Sequence, residues 1–228
     1  MKRDEMDFIN RFLVGFRGFR ERYFLQGASL FETLVNTGQR PKTLVVACSD
    51  SRVDPAILFG VEPGEIFVIR NVANLIPPYE PDGRHHGTSA ALEFAVRDLQ
   101  VRDILVLGHS SCGGIGALRD YLSGNHPQKR EFIVPWVSIV ADQETTMPVT
   151  EPSHLLEQVG IRKSIVNLRS FPWVSQRETE GNLTLHGWWF DMGVGQLWCL
   201  NESTGAFQPL ELERHCDDAA NCVTTGCS

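Results

Sequence analysis

Two short stretches bring together side chains that could do chemistry: Cys48-Ser-Asp50-Ser-Arg52 and His109-Ser-Ser-Cys112-Gly-Gly. Two thiols and one imidazole suit zinc, which takes sulfur and nitrogen ligands tetrahedrally. Three protein ligands with an open fourth position is the catalytic pattern, and four protein ligands the structural one. Asp50 is close enough in sequence to Cys48 to be a fourth ligand, or to bond a water in the fourth position. Asp50 and Arg52 can pair, because a guanidinium fork matches a carboxylate. The spacing alone leaves other readings open. A lone Cys in an apolar strand is commonly a small core hydrophobe, and Cys-x-Asp with a distant His-x-x-Cys is a weaker signal than two Cys-x-x-Cys pairs. Gly108-His109-Ser110 suggests a nucleophile elbow, but the position two after Ser110 is Cys112, where that turn needs Gly. Gly113-Gly114-x-Gly116 is followed by no Gly-Lys-Ser/Thr and does not read as a phosphate loop.

Such residues need strand ends to hold them. Residues 43–47, 66–69 and 104–107 are short runs rich in Val and Ile, bounded by Pro, Gly and Asp, and they read as buried strands. Cys48 and His109 then leave the ends of the first and third, and Cys112 opens a helix over 113–121 that stops at Ser123-Gly124. Leu92, Ala95, Val96 and Leu99 have helical spacing, and helices are predicted over 30–35, 131–141 and 155–168. Residues 183–189 and 194–200 read as late strands, joined by a hairpin at Asp191-Met-Gly. Strands alternating with helices imply a parallel sheet covered on both faces, with ligands at the carboxyl ends of its strands. Upstream, Phe8, Phe12, Phe16 and Phe19 recur every three or four residues between Arg11, Arg17, Arg20 and Arg22, which predicts an amphipathic helix.

The chain has 228 residues, 42% hydrophobic and 21% charged. It is long enough to bury a core without disulfide staples. Its 21 basic and 28 acidic residues leave a charge of −7, the wrong balance for a general nucleic-acid binder. No run approaches the roughly 20 apolar residues of a membrane helix, and acidic residues and Arg11 interrupt any leader pattern near the start. We therefore expect no nucleic-acid or membrane partner, and a cytoplasmic location. Cys216, Cys222 and Cys227 crowd into a polar C-terminal segment expected to be disordered, where they are inert or serve as a redox or second metal site.

Together with Arg70-Asn-Val-Ala-Asn74, the two stretches occur in an order that resembles the signatures of β-class carbonic anhydrases, and the resemblance runs from about Phe8 to Leu210. It implies an α/β fold with a mainly parallel central sheet flanked by helices and an N-terminal helical arm. Residues 1–213 would form a single catalytic domain and 214–228 a polar tail. One zinc per chain would sit on Cys48, His109 and Cys112, with Asp50 as a possible further ligand. The reaction would be reversible hydration of carbon dioxide to bicarbonate and a proton by zinc-bound hydroxide, with Asp50 and Arg52 catalytic. Gln39, Phe67, Val72, Phe94 and Gly113 match substrate-site positions, and Phe94 departs from the Tyr of plant enzymes. Val45 stands where a bicarbonate-regulated subgroup carries Trp, so the chain resembles the open, plant-like subgroup. The resemblance also implies a homodimer or higher even-numbered oligomer, with the Phe8–Phe19 stripe packing on the partner subunit or on its own core. His85 and His86 are candidates for proton export. The alternative is a silent homologue that binds bicarbonate or acts as a scaffold, but such a protein would be expected to lose a ligand or the Asp-Arg pair, and both are present.

Overall fold

The computed structural model describes residues 2–25, 30–124, 130–141 and 153–211. The segment 214–228, with Cys216, Cys222 and Cys227, lies outside the described residues. The chain forms two compact units, Met1–Arg40 and Pro41–Ser228.

In the first unit, α1 (Lys2–Arg20) runs into a single wide turn, Glu21–Leu25, followed by α2 (Leu30–Thr37). The phenylalanine stripe forms as its spacing predicts. Phe19 packs among Tyr23, Phe24 and Phe31 with ring centroids 5.0–6.1 Å apart. Phe8, Phe12 and Phe16 remain 58%, 62% and 61% exposed.

The second unit is built on one sheet. Its strands are β1 (Thr43–Cys48), β2 (Ile66–Asn71), β3 (Asp103–His109), β4 (Thr184–Asp191), β5 (Gln196–Asn201) and β6 (Ala206–Pro209), in the spatial order β2-β1-β3-β4-β5-β6. The first four are parallel, and β5 and β6 are antiparallel additions. β1 and β3 lie in the middle and are buried on both faces, which is why both read as continuous apolar runs rather than alternating ones. The helices α3 (Pro55–Phe59), α4 (Gly87–Glu93), α5 (Gly113–Leu122), α6 (Ile133–Val137), α7 (Ser153–Ser170) and α8 (Pro172–Thr179) make the crossovers. One core cluster joins Leu44, Val46, Ile104 and Val106 to Ile161, Ile165 and Leu168 of α7. Another gathers Cys48, Ala73, Cys112, Ile115, Val137 and Leu156 around the strand ends.

The register sets the site. Ala47 pairs with Leu107, so Cys48 and His109 emerge side by side at the carboxyl edge. The predicted hairpin forms: Asp191 Oδ1 accepts the Gly193 N–H, and the Asp191 carbonyl accepts that of Gly195, whose φ of +69° suits glycine.

One predicted helix is shorter than its pattern. The helix over 131–141 is α-helical only across Ile133–Val137. Ser138 Oγ donates to the Pro135 carbonyl at 2.8 Å, taking the acceptor that the Ile139 N–H would use in a continuing helix. The Ile139, Val140 and Ala141 N–H groups bond three residues back instead. The sequence pattern also did not reveal α3, α8 or β6, each eight residues or fewer.

Candidate metal centre

Cys48 is the last residue of β1, His109 the last of β3, and Cys112 caps the N-terminus of α5. One ligand atom from each lies within 4.8 Å of the other two, and the three residues are 4%, 1% and 6% exposed. The two sulfurs are 3.9 Å apart. His109 Nδ1 bonds the Ser110 carbonyl at 2.9 Å, which makes Nδ1 the protonated nitrogen and leaves Nε2 a bare lone pair. That Nε2 is buried without a hydrogen-bond partner. A buried polar atom without a partner is costly, and one aimed at two sulfurs fits a metal ion. The donor set of two sulfurs and one nitrogen fits zinc.

The backbone around the triangle is bent to hold it. Ala73, in the tight turn Val72–Asn74, donates its N–H to Cys48 Sγ at 3.4 Å. Ala73, Asn74 and Ser111 all have positive φ, at 65°, 49° and 56°, an unusual cost for side-chain-bearing residues. Trp136 Nε1 donates to the Val72 carbonyl at 2.7 Å and pins that turn from α6. Gly114 lets α5 come close to the same turn: a Cβ there would lie 2.6 Å from Val72 Cγ1 and 2.9 Å from Ala73 Cβ.

The two thiols divide one proton unequally. A hydrogen bond from Cys112 holds the Cys48 thiol down to about 4. The same contact, together with burial, pushes Cys112 far up. Burial opposes protonation of His109, but the neighbouring Cys48 thiolate outweighs it and raises the imidazole above its ordinary value.

Asp50 stands beside the triangle and outside its ligand set. Oδ1 accepts from Arg52 Nε at 2.9 Å and from the Arg52 backbone N–H at 3.0 Å, and Oδ2 accepts from Nη2 at 2.7 Å. These bonds hold the Asp50 carboxyl well below the usual carboxylate range. Arg52 Nη2 also bonds the Ser111 carbonyl at 3.1 Å, tying the Asp50 loop to the Cys112 loop. Arg70 holds the same loop from below. Its guanidinium donates to the carbonyls of Cys48, Asp50 and Val53 and pairs with Asp54 at 2.8 Å.

The apolar positions divide. Val72 Cγ1 borders Gly114 at the start of α5, and the space in front of Gly113 is open. Phe67 and Phe94 pack on each other with centroids 6.0 Å apart, and Phe67 rests on the α7-side core while Phe94 is exposed. Gln39 is exposed and belongs to the first unit. His86 bonds Asp82 at 2.6 Å and lines a cavity of about 350 Å³ with Tyr79, Arg84, Arg97 and Trp173, none of them a member of the metal triangle. Ser110, considered as a nucleophile in the rejected elbow reading, accepts the Met192 N–H at 2.8 Å.

A family model described as carbonic anhydrase matches residues 43–197. Beta carbonic anhydrase 3 of Arabidopsis thaliana is 34% identical over 214 residues, which is 90% of this chain and 82% of that one. The chain belongs to the β-class carbonic anhydrase family. Among solved structures, the β-carbonic anhydrase CcaA matches with a TM-score of 0.76 at 32% identity, over 91% of this chain and 94% of its own. One of two tetrameric β-carbonic anhydrases from Sordaria macrospora matches with a TM-score of 0.67 at 25% identity, over 90% of this chain and 99% of its own. All three ligand positions of this family member, Cys48, His109 and Cys112, fall inside the matched region, as do Asp50 and Arg52.

Two contributors went unrecognised in the sequence. Arg70 was in view within its motif, but its role as a clamp on the Asp50 loop shows only in the fold. Glu157 was not in view at all. It is 3% exposed on α7, and its carboxylate accepts the Cys112 N–H at 3.1 Å and the Trp189 indole N–H at 3.0 Å. The available signal was a polar residue on an inward face, since Glu157, Ser164 and Asn167 follow the same side of α7 as Ile161 and Leu168 and are all buried.

Proposed function

We infer that this centre hydrates carbon dioxide reversibly to bicarbonate and a proton. The observation that carries the reading is the buried Cys48-His109-Cys112 triangle with a partnerless Nε2, set beside the Asp50–Arg52 pair in a carbonic anhydrase fold. Zinc, when bound, acidifies a coordinated water and so supplies a nucleophile near neutral pH. Asp50 is ionised and can only accept hydrogen bonds. Held at both oxygens by Arg52, it would accept a hydrogen bond from the single proton of the nucleophile and so leave a lone pair turned towards carbon dioxide. Arg52 fixes the direction of that acceptor, and through the Ser111 carbonyl it fixes the acceptor's distance from the Cys112 loop.

Carbon dioxide is apolar and needs little more than an apolar wall. Val72 serves as that wall, with open space beside Gly113, and the resemblance alone assigns Phe67, Phe94 and Gln39 to substrate contacts. Phe94, Val72 and Val68 are 44%, 38% and 37% exposed near the β2 edge, and β2 is an edge strand with no partner on its outer side among the described residues. This supports assembly into a homodimer or larger even-numbered oligomer that covers the edge, in keeping with the tetrameric relatives. The exposed Phe8, Phe12 and Phe16 of α1 support the same reading. Nothing at the site favours a silent homologue. Zinc analysis together with stopped-flow carbon dioxide hydration on the purified protein tests the proposal. A protein that carries zinc and yet gives no rate above the buffer would overturn it.

A further inference from the structure

We propose that Glu157 is a positioning residue for the metal centre, which anchors the Cys112 ligand to strand β4 through Trp189. The proposal rests on the metal reading above. Glu157 is 3% exposed, Cys112 6% and Trp189 5%, so water competes for none of their hydrogen bonds. Each carboxylate oxygen has one partner: Oε1 accepts the Cys112 N–H at 3.1 Å and Oε2 the Trp189 Nε1–H at 3.0 Å. Cys112 has no side-chain cap of its own at the start of α5. Glu157 therefore supplies the acceptor for the N–H of the very residue whose sulfur faces the metal. Trp189, at the His109 end of β4 where Gly108 pairs with it, fixes the other oxygen. A chain Trp189–Glu157–Cys112 thus links the strand beside His109 to the second sulfur ligand, and it sets their relative position.

The donor count makes the role specific to a carboxylate. Both partners are N–H donors, and a carboxylate offers an acceptor to each. An amide offers one oxygen and one NH₂ group, so in Glu157→Gln a donor must face either the Cys112 N–H or the indole N–H. The side chain then swings, and the Cys112 backbone moves with it. Removing the indole donor as well, in Glu157→Gln with Trp189→Phe, leaves the amide oxygen free to face Cys112 without that conflict.

The test uses the full-length zinc-loaded protein and its cobalt(II)-substituted form. Glu157→Gln is expected to release zinc to a competing chelator with affinity weakened about 10–100-fold, the range seen when groups behind a metal ligand are lost. The visible bands of the cobalt form should shift in position and intensity, because they report ligand geometry, which a loss of stability alone does not alter. The double variant is expected to recover much of both properties. The proposal is overturned if Glu157→Gln, folded with a wild-type melting temperature, keeps the wild-type zinc affinity and cobalt spectrum, or if the double variant is no better than the single. Should Glu157→Gln fail to fold, Trp189→Phe alone decides: it must weaken zinc binding measurably and alter the cobalt bands, and unchanged values refute the anchor. A wild-type protein that binds no zinc would instead defeat the metal reading itself.

Discussion

Cys48 Sγ and Cys112 Sγ lie 3.9 Å apart in a space closed to solvent, and only Cys48 gives up its proton readily. Cys48 is held down to about 4, while Cys112 is pushed far above the ordinary thiol value and His109 above that of imidazole. Zinc requires both thiolates and a neutral imidazole. Its uptake should therefore release one proton from Cys112, and a second wherever His109 is still charged, so zinc affinity should climb at least about tenfold per pH unit and more steeply at the acid end. Competition with a chelator at several pH values checks this, and a flat profile would contradict it.

Replacing either sulfur ligand with Ser should abolish stoichiometric zinc, since an alcohol does not ionise to a soft ligand at neutral pH. Metal analysis after gel filtration reads this directly. More than half a zinc per chain in Cys112→Ser would mean that the triangle is not the metal site.

Asp50→Asn should retain zinc and fold but lose about 10²–10⁴-fold in hydration rate, by analogy with the loss of a positioned acid–base group. The amide would turn an N–H towards the nucleophile in place of a lone pair. Zinc content and stopped-flow rates on one preparation separate this from metal loss, and a wild-type rate would reduce the pair to a loop clamp.

Arg52 lowers Asp50, so the sign of its effect on pH behaviour follows. The stabilisation from this pair is complete above the unfolded carboxyl value of about 3.9 and is lost only as pH falls through the still lower folded value. At neutral pH Asp50 would be ionised even without its partner. The defect of Arg52→Ala is therefore one of orientation, and its activity relative to wild type should be constant from pH 6 to 9. A ratio that recovers with rising pH would show that Arg52 acts through the charge state after all.

Gly114→Ala should destabilise the protein. Its methyl would meet Val72 and Ala73 at well under contact distance, and overpacking of this kind costs about 1–3 kcal/mol. For a chain of this size that is a fall of roughly 2–12 °C in melting temperature. The displaced Ala73 N–H should also loosen its hold on Cys48, so zinc release should quicken. A neutral substitution would mean that α5 is free to move away.

Much of this was legible in the sequence, for a physical reason. β1 and β3 are buried on both faces, so their apolar runs are unbroken and their ends are sharp. Cys48 and His109 are the last residues of those strands and Cys112 lies three residues on, so the ligands stand where the strands visibly end. What the sequence hid depends on contacts between distant segments. Glu157 meets Cys112 across 45 residues and Trp189 across 32, and no local pattern announces that meeting. The helix over 131–141 failed for a local reason that composition masks, the Ser138 hydroxyl competing for the Pro135 carbonyl. Gln39 remains a position matched by resemblance alone, because it belongs to a different unit from the metal triangle.

Ile161 lies between two glycines, Gly108 of β3 and Gly187 of β4, where an added Cβ would sit 2.7 Å and 2.9 Å from its side chain. The two missing methyls let the α7 helix lie close on the sheet. That depth sets the reach of Glu157 to Cys112, of Ser164 to the Asn74 carbonyl and of Asn167 to the Ile76 carbonyl. The helix therefore works as a lever whose fulcrum is one isoleucine. A methyl added beneath it would lift three polar anchors together, and a change too small to disturb the sheet would be felt at the rear of the metal triangle.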